Sequence, residues 1–291
     1  MLKKVALKTV TLEEGAMLLN DLDRRAKNRE ELSNLFCDIY RALPRDTHAK
    51  TFLQIVALTD NPDFEKVLVA GLEHPDAGVG LASLEGMARY KDDAAKKALS
   101  GQLAHHLPHI RKAAGEALID KWGTDGIKAV IACGMRHEDR EVVSSAYSVL
   151  SLCGEEAVPL IIDAMESMNT ASLLQSAKLL IDLKQDMDIE DNITEDRVVK
   201  LVGVLRTAAG SNQPNLIISI LELLGALREK LAGHEEDIAA FLHVEHATIK
   251  LVAHKVLSQM NTERARGLMA PVKIPLGMGG YLMGQEPLTK K

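Results

Sequence analysis

At 291 residues, 46% hydrophobic and 26% charged, the chain has the balance of a folded globular protein rather than a disordered one, and it is long enough to bury a large core. Aromatics make up only 3%, so that core has to be built from Leu, Ala, Val, Ile and Met, which favours close-packed helices over a β-sandwich. A net charge of −6 argues against a protein whose main business is neutralising nucleic-acid phosphates.

Lys3, Lys4 and Lys8 make the first ten residues basic, and Lys273, Lys290 and Lys291 against Glu286 do the same at the far end, which leaves the body between them distinctly acidic. The opening apolar run is too short for a signal peptide. No stretch approaches the roughly 20 apolar residues that span a bilayer, so the cytoplasm is the expected location and no membrane contact is expected. Cys37, Cys133 and Cys153 have no CxxC or metal-type spacing and read as free, buried thiols of a reducing compartment.

In chain order, Thr11 with Glu14 and Asn28 with Glu31 have capping spacing and open two predicted helices, 12–27 and 29–42, expected to cap the first hydrophobic face of the helices after them. A pattern then repeats, in which small or apolar residues stand three, four, seven and eight positions after an anchor, the spacing of one helix face. A degenerate copy starts near His48, with Ile55 and Val56 in register. Val79 leads to Ala82, Ser83, Gly86 and Met87; Ile110 leads to Ala113, Ala114, Ala117 and Leu118. Val142 leads to Ser145, Ala146, Val149 and Leu150, and Leu173 to Ser176, Ala177, Leu180 and Ile181. Beyond these, Leu216 precedes Ser219, Ile220, Leu223 and Leu224, and Ile249 precedes Val252, Ala253, Val256 and Leu257. The anchors are separated by 31, 31, 32, 31, 43 and 33 residues, the signature of a repeat protein.

An earlier helix belongs to each copy. Asn61 with Pro62, Thr124 with Asp125, and Thr194 ahead of Val198 are the start signals, while Gly123, Gly154 and Gly225 read as helix ends. Between the paired helices lie short polar turns, HPDAGV at 74–79, HHLPHIR at 105–111 and HEDREV at 137–142. These turns, each leading into Val or Ile and an Ala-rich helix, resemble HEAT repeats, in particular the short type of the phycobilin lyases, over about residues 40–260. Pro75-Asp76, Pro108 with Ile110-Arg111, and Asp139 with Val142 match best. Only Arg111 fills the arginine place after the anchor, with Lys250 its nearest substitute, so most of that family's polar ladder is missing. The resemblance implies an all-α, α-α superhelix of about seven helical hairpins. It leaves function open, because such folds serve as scaffolds, lyases, glycosylases and oxygenases.

Histidines invite a metal hypothesis, and His105, His106 and His109 cluster. Pro108 breaks the helical spacing that would bring His105 and His109 onto one ion, and His74, His105 and His137 each precede an anchor by five residues, as positions of the repeat. His243 and His246 beside Glu245 have no stronger spacing. Deoxyhypusine hydroxylases hold iron between equivalent His-Glu pairs, but His137-Glu138 is placed in an inter-helix turn and His234-Glu235 at the start of a first helix. HEAT-like DNA glycosylases need a positive groove and aromatics; here Trp122 is expected to close a helix beside Gly123, and Arg111, Lys112 and Lys121 read as a solvated face. No dinucleotide fingerprint, P-loop, nucleophile elbow or HExxH occurs, and the GMGG at 277–280 lacks the context of a phosphate cradle. No catalytic residue, metal or cofactor is therefore expected.

Two segments interrupt the repeat. Residues 182–196 hold seven acids in fifteen positions and read as a solvated insertion. Residues 267–291, with three prolines and five glycines, are expected to be a non-helical tail that is too apolar for a spacer and that either folds over the last repeat or docks on a partner or a second copy through Met278, Tyr281, Leu282 and Met283. The rest, 1–266, reads as one repeat domain. Outward positions of the second helices, Glu85, Lys112, Glu116, Tyr147, Lys178 and Asp182, are the expected contacts for another protein. A scaffold or assembly factor is the leading expectation. Cofactor handling like that of bilin lyases and, behind it, nucleic-acid binding are the alternatives.

Overall fold

The computed structural model describes residues 11–25, 29–59, 64–186, 189–211, 213–269, 273–276 and 280–283. Helices come in the order α1 (Leu12–Arg25), α2 (Arg29–Arg41), α3 (Asp46–Ala57), α4 (Glu65–Leu72), α5 (Ala77–Met87), α6 (Asp93–Gln102), α7 (Pro108–Trp122), α8 (Thr124–Val130) and α9 (Arg140–Leu150). Then come α10 (Ala157–Met165), α11 (Thr170–Asp186), α12 (Glu195–Ala209), α13 (Pro214–Ala226), α14 (Glu235–Ala239), α15 (Ala247–Met260) and α16 (Glu263–Met269), with strands β1 (Lys273–Leu276) and β2 (Gly280–Met283) last. The all-α expectation holds, with one two-stranded antiparallel hairpin added. Every anchor is the third residue of a second helix, except Leu173, the fourth residue of α11. The chain is a helical-repeat protein.

Local chemistry explains the helix starts. Thr11 and Glu14 close the anticipated capping box, the Glu14 amide donating to Thr11 Oγ1 (3.2 Å) and the Thr11 amide to Glu14 Oε2 (2.9 Å). Asp76, Asp92, Asn169 and Thr262 cap α5, α6, α11 and α16 by accepting backbone N–H groups. Pro108 and Pro214 occupy first-turn positions of α7 and α13. Neither Thr124 nor Asp125 caps α8, whose entry is made by Gly123 at φ +52°. Thr194 takes the N-cap place of α12 without a side-chain bond. Asn28, Asn61 and Pro62 lie outside the described residues.

Contacts gather into two compact units, Met1–Val149 and Leu150–Lys291. In the first, α3, α5 and α7 stack as one layer and α2, α4 and α6 as the other, with α1 laid on α3. Phe36, Phe52 and Phe64 meet at its N-terminal end, Phe36 and Phe64 edge to face at 4.7 Å, so the few aromatics are concentrated where the first repeat needs covering. Close stacking depends on small residues: a Cβ on Gly86 would sit 2.7 Å from Leu68 and 3.0 Å from Ala57. In the second unit, α11, α13 and α15 form one layer and α10 and α12 the other, while α14 packs against α15 and α16. Gly225 is the next-to-last residue of α13, so it does mark the helix end, but it is buried and has no left-handed backbone; a Cβ there would lie 2.9 Å from Val256 Cγ2. Each fully buried Leu or Ile of these layers contributes about 1.5–3 kcal/mol.

The acidic insertion is not a solvated linker. Asp182 to Asp186 continue α11, Glu195 and Asp196 open α12, and between them Ile189 and Ile193 are fully buried. Lys230 Nζ donates to the Ile193 carbonyl at 2.8 Å, which pins the segment. The tail is corrected too: α16 runs through Met269, so residues 267–269 are helical, and β1, paired Lys273 to Met283 through Leu276 to Gly280 with β2, lies against α15. The cysteines are not buried: Cys133 is exposed, and Cys37 and Cys153 are half-buried.

Candidate interaction surfaces

The histidine turns are structural, and their chemistry is repetitive. The Asp76 amide donates to His74 Nδ1 (3.1 Å), the Leu107 amide to His105 Nδ1 (3.1 Å) and the Asp139 amide to His137 Nδ1 (3.0 Å). A backbone N–H can only donate, so each Nδ1 must be unprotonated and each ring serves as a local turn cap. Two of the turns add an aspartate that carries the cap onward, Asp76 to the Val79 amide and Asp139 to the Glu141 amide. The middle turn has Leu107 instead, and there Arg111 substitutes.

Arg111 is only 4% exposed, so it is no part of a solvated face. Its Nη1 donates to the His105 and His106 carbonyls (2.9 and 3.1 Å), its Nε to Ser145 Oγ (2.8 Å), and its Nη2 reaches Glu141 at 3.4 Å. One guanidinium thereby ties the turn before α7 to α9. The His105 ring, tilted 33° against that of His106 with centroids 4.2 Å apart, is held below the ordinary histidine range by burial and then by His106, His109 and Arg111.

Of the two His-Glu pairs, His137 caps its turn beside an exposed Glu138, and the second pair is tied into the fold. Glu235, 3% exposed, accepts from the Gly233 amide and from Thr262 Oγ1, each at 3.0 Å, and joins α14 to α16. His234 faces Asp237 at 3.4 Å. Among the described residues, no three His, Cys, Asp or Glu side chains are placed to hold a metal ion. Burial pushes the Cys153 thiol up to about 11, helped by Glu156, and raises that of Cys37 as well. Trp122 is the last residue of α7 and half-buried beside Gly123.

Of the outward positions, Glu85, Lys112 and Glu116 are exposed on the first unit, with Tyr147 half-buried, and Lys178 and Asp182 are exposed on the second. Lys112 and Glu116 pair with each other at 3.7 Å. Beside Lys112, a cleft of about 460 Å³ opens between α7 and α9, floored by Arg111 and walled by Glu141, Ser144, Ser145 and Ser148. Two of its three hydroxyls are committed to their own helix, Ser145 to the Glu141 carbonyl (2.9 Å) and Ser148 to the Ser144 carbonyl (3.0 Å). Met278 lies outside the described residues, and Tyr281, Leu282 and Met283 form β2.

A second cleft, about 540 Å³, runs over α11, α13 and α15 in the second unit. Ile181, Gly225, Val252 and Val256 form its apolar floor, and Lys184, Arg228 and Lys255 stand round it with Gln185, Gln259 and a single carboxylate, Glu222. Sequence patterning did not reveal this groove. Lys184, near the end of α11, and Arg228, in the short turn after α13, lie past the repeating frame, but Lys255 stands six residues after its anchor and was within reach of the rule that picked Glu85 and Glu116.

The cations of the other face of this unit are spoken for. Arg197 and Lys200 of α12 bind Asp163 of α10 (2.9 and 2.5 Å), Arg206 binds Asp237 of α14 (2.7 Å), and Arg264 of α16 binds Glu236 (2.6 Å). Burial works to raise the Asp163 carboxyl, but the hydrogen bonds and charges of Lys200 and Arg197 outweigh it and hold the group below the ordinary range. The polar ladder missing from the turns is thus present between the first helices.

No protein-family model matches the chain, and the search of curated proteins returned no relative. Among solved structures it is similar to human deoxyhypusine hydroxylase in complex with glycerol, at 13% identity and TM-score 0.33 over 80% of this chain and 96% of that one. It is also similar to a chain of the AP-3 complex in an intermediate open conformation (13%, TM-score 0.35, 89% and 56%) and to a designed armadillo repeat protein (12%, TM-score 0.25, 78% and 99%). Likenesses this distant carry no argument about fold or activity; the two-layered helices stand on the chain's own contacts.

Proposed function

We propose that this HEAT-like chain is a protein-binding scaffold or assembly factor that engages another protein through the outer face of its second helices. One observation carries the reading. The residues with the most chemical potential, the turn histidines, Arg111 and Glu235, are tied into the fold, whereas the second helices present charged side chains at repeating positions beside open clefts. Mixed charge over a shallow, partly apolar surface is the character of a non-obligate protein interface. Repeat stacks suit this work because each added hairpin extends the same face.

The test is affinity capture from the native cell extract with mass spectrometry, comparing the wild type with Glu85→Lys/Glu116→Lys and with Lys178→Glu/Asp182→Lys. These side chains are exposed, so both variants should melt with the wild type. The reading expects a defined protein retained by the wild type and reduced about tenfold or more by at least one variant. Identical retention by all three forms, or none by any, would overturn it.

A further inference from the structure

The outward face of α12 carries Asp196, Val199, Gly203 and Arg206, spaced three, four and three residues apart, the spacing of a seam between two packed helices. Val199 is apolar, yet it stays 55% exposed. A lone exposed valine would mean nothing, but its surroundings complete a fitting. One turn further on, a Cβ built on Gly203 would meet nothing within 4 Å, and this glycine lines a cavity of about 270 Å³. Met165, Met168, Leu173 and Val204 give that cavity buried, apolar walls, while Glu166 and Thr207 stand exposed at its rim. Thr207 Oγ1 donates back to the Gly203 carbonyl at 3.1 Å, so the rim hydroxyl is spent. A socket with these walls takes an aliphatic group rather than an ion.

Knob and socket on one helix face are complementary to themselves. Two copies of α12 laid antiparallel about a two-fold axis near Leu201 bring each Val199 over the other's Gly203, and the same symmetry sets each exposed Asp196 against the other's Arg206. Arg206 gives Nε and Nη2 to Asp237, which leaves Nη1 for a carboxylate from across the axis. On the opposite flank Arg197 and Lys200 already bind Asp163, so covering the face strands neither cation. A helix of an unrelated protein would have to supply an aliphatic knob and an acid at the same spacing; a second copy supplies both, with opposed charges in register. We propose that two copies of this chain associate through α12, each Val199 entering the other's socket at Gly203. The contact lies in the first-helix layer, so the outer face of the second helices stays open to another protein, and neither reading depends on the other.

Sedimentation velocity of the full chain, from about 1 to about 200 μM at about 0.15 M salt, tests the pairing on the wild type, Val199→Glu, Gly203→Leu, Asp196→Arg and the first-unit control Met17→Glu, whose site is 72% exposed. The wild type should pass from monomer to dimer and stop there, because a two-fold contact closes on itself. Val199→Glu puts a charge on the knob, and Gly203→Leu fills the socket from within. Each should weaken the dimer about tenfold or more, and Asp196→Arg, which opposes two cations, should weaken it less at about 0.5 M salt than at about 0.15 M. The control should change it less than about twofold. Melting temperatures keep the test honest about folding: Val199→Glu should melt with the wild type and Gly203→Leu no lower, since the space at Gly203 is empty in the single chain. A wild type that stays monomeric, growth beyond the dimer, a dimer indifferent to Val199→Glu and Gly203→Leu, or one dissolved by Met17→Glu would each overturn the proposal.

Discussion

A single guanidinium shows how much one buried residue can carry in a repeat protein. Arg111 satisfies two carbonyls of its own turn and reaches the next helix, so Arg111→Ala strands those carbonyls together with Ser145 and Glu141. The expected loss is about 2–4 kcal/mol, and Arg111→Lys should recover only part of it, because an ammonium cannot span the same acceptors. Urea denaturation of both variants measures this; an unchanged midpoint for Arg111→Ala would show the network to be passive. His105 adds a pH dependence. Its folded pKa lies below its unfolded value, so the unfolded chain takes up the proton first. Its contribution to stability is complete above about pH 6.5 and is lost as pH falls through the folded pKa. His105→Asn keeps an acceptor for the Leu107 amide and does not titrate, so the urea midpoint of that variant should fall less than the wild type's between about pH 8 and about pH 5. An equal fall in both would remove His105 as a source of the pH dependence. The sequence placed His74, His105 and His137 as equivalent positions of the repeat, but the bond each makes two residues on depends on turn geometry that spacing does not reveal. Burial of Arg111 was likewise hidden, since arginine is seldom buried unless its partners are in place.

Helices in this chain are set by their small residues as much as by their apolar ones. Gly203 lies in the middle of α12 and Gly225 next to the last residue of α13. A Cβ on Gly225 meets Val256 at 2.9 Å, whereas one on Gly203 meets nothing within 4 Å. Gly225→Ala should therefore cost about 1–3 kcal/mol through overpacking, and Gly203→Ala should gain about 0.4–1 kcal/mol through helix propensity and a less free unfolded chain. Opposite shifts in melting temperature are the expected result, and shifts of the same sign would refute the packing argument. The sequence placed Gly225 at the end of α13 but could not show that it is there for close packing rather than for a left-handed cap, because glycine serves both. At the C-terminus, β1 lies on α15, so deleting residues 270–291 uncovers part of that helix. A melting temperature lowered by several degrees is expected, about 2–4 °C per kcal/mol lost at this size. No change by circular dichroism would mean that the hairpin contributes nothing to the fold.

Within the whole molecule, the two units answer to local contacts, because each hairpin buries its faces on its immediate neighbours. Phe36→Leu, at the aromatic cluster of the first unit, should speed amide exchange in α2, α3 and α4 far more than in α12, α13 and α15. Uniform acceleration measured by mass spectrometry would show instead that the chain opens as one cooperative body. The sequence alone determined the helical class, the period and the first cap, because helix faces and caps are written in spacings of three, four, seven and eight residues. Only tertiary structure decided that Arg111 is internal, that Ile189 and Ile193 anchor an acidic stretch, that the tail closes as a hairpin, and that Lys184, Arg228 and Lys255 converge. Those outcomes depend on which surfaces meet between residues far apart in the chain, and a local periodic pattern holds no information about which distant side chains will meet.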